Sequence, residues 1–92
     1  MRNNINHADD YIKLGLNIAY YRKLGGLTQL QLAEAAKISR THLSNIEAPN
    51  MPTSVSLDTL FEIAKVLDIP VCMLLMSKEQ KTIVSILYAG NS

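Results

Sequence analysis

A chain of 92 residues leaves room for one small domain and excludes a second independent core. Hydrophobic residues make up 48% and charged residues 18%, which excludes a disordered chain, while a net charge of +1 excludes a strongly basic one. No apolar run approaches the roughly 18 residues of a membrane span, and the opening Met1 to His7 lacks a secretion-signal core, so a cytoplasmic address is expected.

Residues 1–8 read as an N-terminal arm, residues 9–76 as the folded domain and residues 77–92 as a C-terminal extension. Asp9 or Asp10 is positioned to cap a first helix running to about Leu24. In it, Leu14, Ile18 and Tyr21 recur at i, i+4 and i+7 as a buried stripe, and Gly25-Gly26 ends it.

Thr28 is the candidate cap of a second, short helix that places Leu32 and Ala36 on one face. Ser39 opens a third helix with Leu43 and Ile46 on its buried side. The turn between them is too short to be a flexible loop. Between its apolar positions the third helix carries Arg40, Thr41, Ser44 and Asn45, short or planar hydrogen-bonding groups suited to reading base edges. The alternative for these four is an ordinary solvated helix face.

Ala48 to Ser56, rich in Pro, Ser, Thr and Asn, reads as a connecting loop. Ser56 then caps a fourth helix whose Leu57, Leu60, Ala64 and Leu67 share one face, widened by Phe61 and Ile63. Asp68-Ile69 breaks it, and Pro70 suits the first turn of a fifth helix through about Met76. Ser77 followed three residues later by Gln80 matches a capping box for a sixth, apolar helix containing Ile83, Val84, Ile86 and Leu87 before Gly90. The stretch from Thr82 to Tyr88 is also the best strand candidate, being rich in β-branched residues. As helix or as strand it points to self-association, with Val71, Leu75, Ile83, Ile86, Leu87 and Tyr88 as candidate dimer residues and the intramolecular core as their alternative.

Cys72 stands alone, so neither an internal disulfide nor a zinc set is available, and it reads as a small core residue. No paired nucleophile and base, metal cluster or glycine-rich phosphate loop is present. No enzyme activity, cofactor or small-molecule ligand is therefore expected. Six basic residues oppose four acids through Glu47, against three and four afterwards, so the modest positive excess lies in the half holding the third helix.

Over roughly Leu14 to Leu75 the chain resembles the helix-turn-helix family of phage repressors and Cro proteins, the XRE-type domain. The resemblance is carried by Ile18 and Arg22, Thr28-Gln29 with Leu32-Ala33, Ile38-Ser39, Leu43 with Ile46-Glu47, and Leu60, Ile63-Ala64 and Leu67. It implies an all-α fold, a compact five-helix repressor-like bundle, to which the C-terminal apolar segment is an addition. It also implies a transcriptional regulator that binds double-stranded DNA as a homodimer. Position by position, the DNA contacts it implies are Gln29, Ser39, Arg40, Thr41, Ser44 and Asn45, while Arg22 and Glu47 form a structural ion pair.

Ala33 has its own physical reason, since two helices joined by a tight turn require a small residue where they meet. The chain departs from the family pattern at Lys37, where glycine usually serves a left-handed turn, and at Ala19, where many relatives carry arginine. The loop from Ala48 to Ser54 contains no basic residue, so contacts to the DNA backbone are reduced and one copy alone should bind weakly. The alternative function on this fold is a protein-interaction or antitoxin-like subunit with weak or no DNA binding.

Overall fold

The computed structural model describes residues 7–90, and these form six helices: α1 (Ala8–Leu24), α2 (Gln29–Ala36), α3 (Arg40–Glu47), α4 (Leu57–Leu67), α5 (Val71–Leu75) and α6 (Lys78–Gly90). The segment from Thr82 to Tyr88 is helical and not a strand. A helix satisfies its backbone internally, whereas a lone strand would leave its hydrogen-bonding edges without a partner. Of the predicted N-terminal arm, residues 1–6 lie outside the described residues, and Ala8 already belongs to α1.

Four helices start as the sequence dictates. Thr28 and Gln31 form a reciprocal capping box, Ser39 Oγ accepts from the His42 amide, and Ser56 Oγ accepts from the Thr59 amide. At α6, the Ser77 amide donates to Gln80 Oε1 at 2.8 Å and Ser77 Oγ accepts from the Gln80 amide. The start of α1 differs from expectation. Its cap is His7 in a left-handed conformation with no side-chain cap bond, and Asp9 and Asp10 stand inside the first turn, where their charges meet the positive end of the helix dipole. Asp10 is tied back to His7 Nδ1 at 3.2 Å. Pro70 likewise stands one residue earlier than expected, as the extended residue before α5, where its missing N–H is no loss.

Ile18, Leu32, Leu43, Ile46, Ile63 and Leu74 are fully buried, and Leu14, Ala33, Ala36, Leu60 and Ala64 complete a core built from α1 to α5. Each fully buried branched side chain contributes about 1.5–3 kcal/mol of transfer free energy. Gly15 sets the spacing of α1 and α3. A Cβ there would land on the Ile46 carbonyl oxygen and lie 2.9 Å from its carbon, so only glycine admits this approach. Asn17 then fastens α5 to α1, donating to the carbonyls of Leu74 and Met76 at 2.9 and 3.1 Å.

Cys72 is exposed on α5 and not part of the core. Helix α5 has five residues and turns only Leu74 fully inward, which leaves the cysteine on the other side. Helix α6 is the least integrated element. Lys81 Nζ reaches the Tyr21 hydroxyl at 2.7 Å and lies 4.6 Å from its ring centre, while Ile83, Ile86 and Leu87 remain 56%, 65% and 62% exposed.

Candidate nucleic-acid interface

The turn joining α2 to α3 is built by Lys37 and Ile38. Lys37 takes a left-handed conformation, φ 63° and ψ 39°, as the family resemblance implies for this turn position. The Lys37 amide then bonds the Glu34 carbonyl at 3.3 Å, and the Ile38 amide bonds that of Ala33 at 3.0 Å, so the last carbonyls of α2 keep partners as the chain reverses. Ala33, 1% exposed, lies in the core just ahead of the turn, where its small side chain lets the two helices close.

Helix α3 has two faces. Leu43, Ile46 and Glu47 are buried, and Arg40, Thr41 and Ser44 are exposed with Asn45 half-buried beside them. At about 100° per residue, Arg40 to Asn45 span an arc of about 140° turned away from the buried side. The sequence-predicted contacts Arg40, Thr41, Ser44 and Asn45 thus share one accessible polar surface. Ser39 is exposed at its edge, and its oxygen caps the helix. The loop side is secured too, since Thr53 Oγ1 donates to the Asn45 carbonyl at 3.2 Å.

Beneath this surface lies the predicted ion pair. Arg22 Nε and Nη2 donate to the two carboxylate oxygens of Glu47 at 2.8 and 2.9 Å, and the two side chains are 10% and 4% exposed. Arg22 Nη1 also donates to the Leu27 carbonyl at 2.8 Å, so one guanidinium joins α1, the α1–α2 turn and the end of α3. Hydrogen bonding to Glu47, and its charge, hold the guanidinium above its ordinary pKa against the opposing effect of burial. A raised pKa leaves the Arg22 guanidinium charged at every pH below its ordinary range, and its contribution would be lost only as pH rose beyond that range.

Gln29 departs from the simple picture of a free contact residue. Its Nε2 donates to Glu47 Oε1 at 3.0 Å, which brings the first residue of α2 into the brace. Nothing in the spacing of Gln29 and Glu47, eighteen residues apart, signals this bond. Gly15 was also missed in the sequence, where the signal was a glycine inside a helical pattern at a cost of about 1 kcal/mol against alanine, which points to packing but names no partner.

A helix-turn-helix family model matches residues 18–74. The chain belongs to the helix-turn-helix family. The chain is 37% identical over 67 residues to the HTH-type transcriptional regulator SinR of Bacillus licheniformis, covering 73% of this chain and 60% of that protein. The chain therefore spans less than two thirds of that relative. Its fold is similar to the restriction-modification controller protein C.AhdI from Aeromonas hydrophila, with a TM-score of 0.66 and 29% identity over 72% of this chain and 97% of the other. It is also similar to SinR, the master regulator for biofilm formation, in complex with DNA, with a TM-score of 0.64 and 38% identity over 68% of this chain and 98% of the other. SinR in its complex with SinI gives a TM-score of 0.62 and 31% identity over 84% of this chain and 80% of the other. Among the described residues no helix is long and apolar enough to cross a membrane.

Proposed function

We propose that the chain is a sequence-specific DNA-binding transcriptional regulator that places α3 in the major groove as a homodimer. The observation that carries this reading is the polar arc of exposed Arg40, Thr41 and Ser44 with half-buried Asn45, mounted on a helix whose opposite side is locked by Leu43, Ile46 and the Arg22–Glu47 brace. Arg donates in pairs to guanine and Asn pairs with adenine, each worth about 1–3 kcal/mol of discrimination. Gln29 and Ser39 sit where two helix N-termini offer backbone donors to phosphates. Residues 9–76 supply the reading domain and residues 77–92 the self-association segment. A groove of about 570 Å³ bordered by Lys13, Leu16, Asn17, Leu75, Met76 and Gln80 is the concave surface that this reading assigns to a second copy, together with the exposed stripe of α6.

Two copies related by a two-fold axis would address half-sites about one helical turn, roughly 34 Å, apart. Selection of bound duplexes from a random pool tests this directly. Paired, symmetric half-sites are the expected yield, with an affinity loss of about tenfold or more for Arg40→Ala and for Asn45→Ala. Folded variants that keep full affinity would overturn the contact assignment.

A second reading, a protein-interaction subunit with weak DNA binding, draws on the net charge of +1 and on the uncharged loop after α3. SinR itself is held by a protein in its complex with SinI. A salt titration separates the two readings. Affinity that falls steeply between about 50 and 200 mM salt supports phosphate clamping, and affinity that barely changes supports the second.

A further inference from the structure

The Arg22–Glu47 pair is complete without Gln29, since each carboxylate oxygen already accepts an N–H from the guanidinium. The additional bond from Gln29 Nε2 to Glu47 Oε1 therefore has its consequence at the glutamine. A carboxylate only accepts, so the planar amide must turn its –NH₂ toward Glu47, and one of its two flips is selected. That amide sits on the first residue of α2, where the leading backbone N–H groups have no helical acceptor and the dipole is positive. Glu47 is in turn immobilised by burial and by Arg22, whose third bond reaches Leu27 at the entrance to the same helix.

We propose that Glu47 is a positioning residue for DNA binding: it takes one hydrogen of the Gln29 amide and thereby fixes the second as a donor to a phosphate oxygen at the N-terminus of α2. The two hydrogens share the amide plane, so holding one orients the other. A glutamine otherwise gives up several rotatable bonds on binding, and here that ordering is complete before DNA arrives. This inference rests on the proposed contact between Gln29 and DNA and adds the group that prepares it.

A double-mutant cycle on a duplex recovered by selection distinguishes the two layers. Gln29→Ala is expected to weaken binding about tenfold, the usual scale for a hydrogen bond to a charged group. Replacing the ion pair by an apolar one, Arg22→Met with Glu47→Leu, is a change that buried pairs often tolerate, and it leaves Gln29 without its acceptor. In that background Gln29→Ala should change affinity less than twofold. An equal tenfold loss in both backgrounds would overturn the role of Glu47 while leaving the Gln29 contact standing; no loss in either would overturn the contact itself.

Should the paired variant fail to fold, side-chain ¹⁵N relaxation on the unaltered protein decides the matter. An order parameter for the Gln29 amide near the rigid value of about 0.85 supports the proposal, and one below about 0.6 rejects it.

Discussion

At the scale of single residues, Gly15 and Lys37 occupy opposite ends of backbone tolerance. A methyl group at Gly15 has nowhere to go but the Ile46 carbonyl, and the partner is backbone rather than a side chain that could swing away. Gly15→Ala should therefore separate α1 from α3 and destabilise the domain by about 3 kcal/mol or more, despite the better helix propensity of alanine. Thermal unfolding checks it, and a melting point equal to the parent's would show that α1 can shift freely. Lys37 is the reverse case, a side chain held at φ 63°, where L-residues are strained by about 1–2 kcal/mol. Lys37→Gly relieves that strain and gives back part of the gain in unfolded-chain entropy, leaving a net stabilisation of about 1 kcal/mol. Urea titration should show a higher midpoint with an unchanged slope.

At the scale of elements, the brace between α1 and α3 shows what the sequence makes legible and what it hides. Caps and apolar periods are local, so Thr28, Ser39, Ser56 and Ser77 announced their helices and Leu43, Ile46 and Leu60 their buried faces. The Arg22–Glu47 pair was foreseen through the family resemblance, which supplies the long-range register that one sequence lacks. The bond from Gln29 to the same carboxylate and the clamp from Asn17 onto α5 depend on how separate helices pack, and no local pattern encodes either one. Cys72 was misplaced because a five-residue helix is too short for periodicity to fix its inward side. The energetic consequence of the brace is testable. Glu47→Leu alone leaves a buried guanidinium without its carboxylate and should destabilise by about 3–5 kcal/mol, whereas adding Arg22→Met should restore most of that loss. Chemical denaturation of the two single variants and the pair measures the coupling, and strictly additive effects would mean that the pair contributes nothing.

At the scale of the whole molecule, the modest charge and the exposed stripe of α6 bear on the same question, how the proposed half-site reader would gain affinity. Among the α6 residues whose burial is described, Lys81 and Val84 are partly covered, while Ile83, Ile86 and Leu87 recur at i, i+3 and i+4 on a separate, exposed face. At about 100° per residue the centres of the two faces are about 140° apart, so the contact through Lys81 and Val84 leaves the other face turned from the bundle. A second copy covering the exposed face would couple two copies of α3, and engagement of the first half-site would then raise the effective concentration of the second. Ile83→Glu with Leu87→Glu places charges on that stripe without touching the α1–α5 core, so monomer stability should change little. Sedimentation should show the parent as a dimer and the variant as a monomer. Affinity for the paired site should fall by about 10²-fold or more, while affinity for an isolated half-site stays near that of the parent. A variant that remains dimeric would move the interface off α6. A monomeric variant with undiminished affinity for the paired site would instead show that each copy binds alone, and that its few basic residues and polar α3 arc suffice.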